Sequence, residues 1–406
     1  MKNQHVIKEQ LDYRPWICAV LLFVISFPKW FWGGGTIVIT LASYLLLFMA
    51  YNDISRNGRV RTAGVIALFF QIIIVFVTNI LPNTNVAGYV MSLIQGVGFA
   101  TIFLCSPVFW KKIVDCFIRL LAVLLIFALV EHVMISFLEL TIVNPITAQC
   151  PSNPDRDYDV FIFNVYHEIN FDFFNRFYAF YDEPGALGNI MMVLLYTQKF
   201  DLKKWYNVVL LISGLFSFSL AFYIALATYY ILFGKEAAKI GFAIAAVLAT
   251  YYFYDNEYIY YYVFGRLEFE NGQLSGYNRE LHGGFQLWIK TKSVYDYLFW
   301  GYQPREAVAY AASWRWAFAL YGIIPSLLYL LSISYYRAKG IVHREDILRG
   351  LVLMVVIFIQ RPFIYQYIYV FLIVCPFIYY ASDGKQPVRS IKFHESIPAR
   401  SPNSKL

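Results

Sequence analysis

Hydrophobic stretches of nearly bilayer-spanning length recur along almost the whole chain, and few folds can absorb that pattern. A helix needs roughly 20 apolar residues to cross the hydrocarbon of a membrane. Twelve such segments are expected, at about 14–31, 34–51, 62–81, 87–109, 113–138, 184–199, 205–218, 219–234, 240–254, 313–334, 346–360 and 363–381. Composition agrees: 59% of the 406 residues are hydrophobic and only 15% are charged. Soluble domains carry about 25% charged residues, so this much apolar surface must face lipid rather than one globular core. The expected fold is all-α, a single polytopic transmembrane domain over 1–406. Aromatic residues make up 20% of the chain. They suit membrane–water interfaces and also stack on sugars.

The net charge is +7. Its distribution points to membrane orientation and away from a nucleic-acid partner. Lys2, Lys8, Arg14, Arg56, Arg59, Arg61, Lys111, Lys112, Lys199, Lys203, Lys204, Lys235, Lys239, Arg337, Lys339, Arg344 and Arg349 fall in segments expected on one side, with five more cations after 382. The short turns on the other side carry almost none. By the positive-inside rule both termini are expected in the cytoplasm. The opening residues lack the plan of a cleavable signal and are expected as a cytoplasmic tail. The tail at 382–406 is polar, contains proline and is expected to be disordered.

Two long loops, about 140–183 and 255–312, are expected in the periplasm. Long ordered loops usually carry function. The first is acidic (Asp155, Asp157, Asp159, Glu168, Asp172, Asp182, Glu183) with two arginines, Arg156 and Arg176. The second mixes signs. Of five cysteines only Cys150 falls in such a loop, so no disulfide framework is expected. No internal repeat is visible, which speaks mildly against a transporter built from inverted repeats. The seventh and eighth segments are short and almost fused. Their serine-rich junction (Ser213, Ser217, Ser219) suggests the wall of a cavity, because irregular backbone at membrane depth needs such cover.

The sharpest local signal is the run Asn175 to Gly185. Pro184 fits the first turn of the sixth helix, where its missing N–H costs nothing. The N–H groups and positive dipole end of that turn favour an anion. Glu183 either caps this helix or acts as a base. Arg176 is either an interfacial anchor or an anion ligand. An odd spacing of seven puts Arg176 and Glu183 on opposite faces of an extended segment, so they converge only if the chain bends between them. A second cluster holds Arg266 and the stretch Asn278, Arg279, Glu280 and His282. Arginine grips phosphate oxygens in bidentate fashion, although pairing with Glu268 or Glu280 would also account for these cations. His282 could accept a proton near neutral pH, and His167 is a weaker candidate. Glu131 and His132, in the outer third of the fifth helix, are costly there and worth attention. Arg315 and Arg361 fit the outer ends of late helices, where snorkelling is the default. No Walker loop, dinucleotide fingerprint, zinc motif or Ser/His/Asp triad occurs. Neither a cofactor nor a metal is expected.

The run RFYAFYDEPGALG, the following SGLFSFSLAFYIAL, the stretch GYNRE with GFQLWIK and FWGYQP, and SWRWAFALYGIIPSLLYLL together resemble the O-antigen polymerase (Wzy) family. The likeness covers about 170–335; the first 140 residues match in hydropathy alone. It implies a glycosyltransferase of the bacterial inner membrane that works at the periplasmic face. Its donor and acceptor would be undecaprenyl-diphosphate-linked oligosaccharides, and a chain-length regulator is a candidate partner. By motif position Arg176, Glu183, Arg266 and Arg279 are the expected catalytic residues. Tyr181, Asn278, His282 and Arg315 are the expected substrate contacts. Related O-antigen ligases, which pass glycan to lipid A-core, resemble the chain too. They typically carry a histidine where this sequence reads Tyr310 to Arg315 without one. That departure favours the polymerase but leaves the proton acceptor open. A lipid-linked oligosaccharide flippase is the remaining alternative.

Overall fold

A computed structural model describes residues 12–33, 35–57, 59–62, 101–150, 153–167, 175–270, 273–274, 293–295, 298, 343–360, 367–383 and 390–392, with scattered positions at 65–99 and 322–328. The described chain is mostly helical. In order, its longer helices are α1 (Arg14–Ile25), α2 (Gly35–Asn57), α3 (Pro107–Leu138), α4 (Pro184–Thr197), α5 (Trp205–Phe216), α6 (Leu220–Phe233), α7 (Glu236–Phe253), α8 (Arg344–Gln360) and α9 (Tyr367–Asp383). Three stretches, Ile37–Arg56 within α2, Pro107–Leu138 and Glu236–Phe253, are long and apolar enough to cross a membrane.

The longest helix shows why lipid suits this fold. At 1.5 Å per residue α3 runs about 48 Å, well beyond the hydrocarbon thickness. Ser106 starts it by accepting from the Phe109 N–H, with Pro107 in the first turn. Asp53 at the end of α2 accepts from the Ser106 N–H at 3.0 Å, which joins the two helices. One stripe, including Trp110, Ile113, Phe117, Leu121 and Leu125, is buried. The other face carries Val123, Ile126, Phe127, Val130 and Val133, all exposed. A helix apolar on every side belongs in a protein core or in lipid.

Helix α4 is the central pillar: every residue except Gly185 is buried. It packs on α5, α6 and α9, while α3 packs on α1, α5 and α9. Gly188 makes this possible, since a Cβ there would lie 2.6 Å from the Ser219 Cβ. Gly214 of α5 does the same, because a Cβ would lie 2.1 Å from the ring of Phe222. At the opposite extreme α7 has no buried residue at all.

The all-α expectation needs a local correction. The first long loop folds into a three-stranded antiparallel sheet, β2 (Ile146–Cys150), β3 (Asn153–Val160) and β4 (Val165–Tyr166), in the order 2-3-4. Strand β1 (Arg59–Arg61) pairs with β7 (Ser390–Lys392), so three residues of the tail form a strand against the segment after α2. A small hairpin, β5 (Phe269–Glu270) and β6 (Gln273–Leu274), lies in the second long loop. The buried side of the first sheet sets Tyr158 and Cys150 against Trp32.

A buried carboxylate fixes this sheet to the helices. Glu131 of α3 accepts from the N–H groups of Ile162 (3.0 Å) and Phe163 (2.8 Å) and from the Asn164 side chain (2.9 Å). Lys29, also buried, donates to the carbonyls of Phe161 and Asn164. Glu131 and Lys29 thus clasp one tight turn from two sides.

Candidate functional site

The break between α5 and α6 shapes the site. One continuous apolar run is interrupted at Ser217–Ser219, with Phe218 in the left-handed region at φ 46°. The Ser217 hydroxyl donates back to the Gly214 carbonyl at 2.6 Å, and the Ser219 N–H donates to that hydroxyl at 3.3 Å. The carbonyls at the end of α5 have no next helical turn to accept from. The neighbouring segment supplies the donors. The Phe177 N–H donates to the Phe216 carbonyl at 2.9 Å, and the Arg176 guanidinium donates to the carbonyls of Ser217 (3.3 Å) and Phe218 (3.2 Å).

The segment carrying Arg176 alternates. Phe177 is buried, while Arg176 and Tyr178 are half-buried. Ala179, at φ 48°, then bends the chain, and the Tyr181 N–H closes a turn onto the Tyr178 carbonyl at 3.2 Å. That bend is what the odd spacing required. Glu183 comes near enough to act electrostatically on both Arg176 and Tyr178. Glu183 sits at the N-cap of α4, yet its side chain makes no capping hydrogen bond there.

Arg266 arrives from the second long loop. Residues Tyr260–Phe264 form a π-helical turn and Gly265–Leu267 a 3-10 turn. The Arg176 guanidinium lies 5.2 Å from the centroid of the Tyr262 ring, and that of Arg266 lies 6.0 Å from the same centroid. Among the described residues neither arginine has a carboxylate within salt-bridge distance. Glu268 instead accepts from the Tyr260 hydroxyl. Burial, followed by the nearby positive charge of Arg266, pulls the Arg176 guanidinium down to about 10, so it remains a cation at neutral pH. Burial raises the Tyr178 hydroxyl, and Arg176 opposes that shift. Arg156, on β3, also acts on Tyr178.

Three of the four expected catalytic residues, Arg176, Glu183 and Arg266, therefore gather in one place. The fourth, Arg279, lies outside the described residues, as do Asn278, His282, Arg315 and Arg361. Tyr181 belongs elsewhere. It is only 3% exposed within the main core, and its hydroxyl is 3.2 Å from the Ser26 hydroxyl. So little exposure leaves it no open face for a substrate. His167 is held by a ring nitrogen 3.0 Å from the Asp157 carbonyl oxygen. His132 is buried, 2.7 Å from the Tyr166 hydroxyl and against Phe177 and Phe216. It supports the Arg176 segment from behind. Among the described residues no three His, Cys, Asp or Glu side chains gather where they could hold a metal ion.

The sequence motifs did not point to Tyr262. Its only signal was the aromatic run Tyr260, Tyr261 and Tyr262 just before Gly265 and Arg266. Comparison with known protein families, characterised proteins and solved structures finds no match for this chain.

Proposed function

We propose that this protein is an O-antigen polymerase: a polytopic inner-membrane protein of about twelve transmembrane helices with its site facing the periplasm. It joins repeat units carried on undecaprenyl diphosphate. One observation carries the proposal. Two arginines from the two long loops meet on one tyrosine ring without a described carboxylate partner, and a carboxylate, Glu183, stands nearby. Positive charge held ready, rather than neutralised, suits a reaction whose leaving group is a diphosphate. The acceptor hydroxyl attacks the anomeric carbon of the donor glycan. The bond from that carbon to the diphosphate oxygen breaks, and the diphosphate leaves with the electron pair. Arg176 and Arg266 stabilise its charge. Glu183 takes the proton of the attacking hydroxyl.

Deleting the gene in its host tests this directly. The expected result is lipopolysaccharide bearing a single repeat. Complete loss of O-antigen would point to a flippase instead, and accumulation of long lipid-linked polymer would point to a ligase. Glu183→Gln keeps the shape of the side chain and removes the base. Full activity in that variant would exclude the carboxylate as proton acceptor.

A further inference from the structure

The contact shared by Arg176 and Arg266 calls for a cause, since two cations in a partly buried place repel each other. Salt bridges do not relieve this within the described residues, and the carboxylate nearest in sequence to Arg266 is engaged by Tyr260. What both guanidiniums do share is the Tyr262 ring. The negative face of an aromatic ring attracts a cation only modestly. That is enough to orient two arginines but too little to cancel two full charges. Tyr262 sits within the π-helical turn Tyr260–Phe264, four residues before Arg266. Such turns are uncommon and frequent at functional sites. Arg176 is fixed independently, by carbonyls of the α5–α6 break. The ring therefore lies beside both cations and links the first long loop to the second.

We propose that Tyr262 is a positioning residue that holds Arg176 and Arg266 as a single seat for a diphosphate. The ring sets the spacing of the two guanidiniums, and the ligand supplies the missing negative charge. Each guanidinium can take one phosphate group in bidentate fashion. A monophosphate satisfies only one of them. This inference rests on the polymerase proposal for the identity of the diphosphate ester, but the seat itself is tested without glycan transfer.

The test uses the full chain purified in detergent, with inorganic pyrophosphate and inorganic phosphate as probes in calorimetric titrations. Pyrophosphate should bind at least tenfold more tightly than phosphate. Tyr262→Phe should retain that preference, because the ring face remains. Tyr262→Leu should lose it. Phenylalanines with successive ring fluorines at position 262 keep the shape while draining the negative face, so folding is preserved even if the leucine variant is unstable. Pyrophosphate binding should weaken with each fluorine. A flat fluorine series, or a wild-type protein without preference for pyrophosphate, overturns the proposal. If the series behaves as expected but the deletion strain still makes long glycan, the seat stands and the polymerase proposal falls. If the deletion strain shows single repeats while the fluorine series is flat, the reverse holds.

Discussion

The two ends of α4 treat positive charge in opposite ways. Beyond its C-terminal end, Lys199, Lys204 and Arg349 are matched. Lys199 lies 3.0 Å from Asp346, and Arg349 reaches both Asp346 and Glu345. Lys204 donates to Gln198 at 2.8 Å, and Gln198 in turn donates to Asp115, which also accepts from the Tyr379 hydroxyl. Before the N-terminal end, Arg176 and Arg266 face a tyrosine instead. Acidic residues are not scarce there, since Asp182 and Glu183 are close in sequence to Arg176. A fold that can neutralise its cations at one end and leaves two on a ring at the other is using them differently. The paired end closes the bundle. On the proposed function, the other end keeps charge for the diphosphate.

Mutations can break this contrast or sharpen it. The largest effect is expected for Arg176→Ala. Chain extension should fall about a hundredfold or more, as when one preorganised donor is lost from an active site, with the protein still in the membrane. Gel banding of lipopolysaccharide measures the first and immunoblotting the second. Arg349→Ala should do the opposite. Removing one partner of the matched end should cost about 1–3 kcal/mol of stability, seen in thermal unfolding, while long glycan persists. If both variants lose activity alone, or both lose stability alone, the two ends do not differ as argued. Gly188→Val is expected to cost about 1–3 kcal/mol and to reduce activity too, because the new side chain meets Ser219 at the break that seats Arg176. The smallest effect concerns pH. The Arg176 guanidinium is held down to about 10 in the fold, below its ordinary 12.5. The folded protein therefore sheds this proton before the unfolded one. Anion binding should stay level from neutral pH to about 9 and decline as pH rises through the shifted value. The repulsion between the two arginines is fully present below that value and relieved above it.

How much of this could be read from residues depends on the kind of signal. Pro184 marks a helix start because proline is tolerated in the first turn and disfavoured in the interior; Pro107 carries the same signal, yet the expected segments 87–109 and 113–138 passed over it, and α3 begins there. The serine-rich junction gave away the break after α5, since small hydroxyl residues can satisfy a backbone that leaves the helix. The sheet at β2–β4 was harder to see. Asp155, Asp157 and Asp159 alternate with Arg156, Tyr158 and Val160, which is a strand period. Aspartate, however, is depleted in strands, so the run reads as loop. Glu131 drew attention as a costly ionisable group, but two of its three partners are backbone N–H groups of a distant turn, the third being the Asn164 side chain. Backbone N–H groups are common to every residue but proline and leave no mark in a sequence. Tyr181 stood within the most suggestive motif and still packs in the core beside Phe180. Tyr262 acquires its role only when two loops meet, which no local pattern encodes.

The seat of Arg176 is built from main-chain carbonyls at positions 217 and 218. Such acceptors survive any exchange of side chain that preserves the bend. A systematic mutational scan would therefore find Arg176 intolerant while assigning little to most exchanges at 217 and 218. Phe218, already in a left-handed conformation, should accept glycine with long glycan still made. The support of the arginine by the main chain would thus be silent to most single substitutions. It could be reached only by changes that straighten the chain, such as a β-branched residue at 218, where the positive φ is unfavourable.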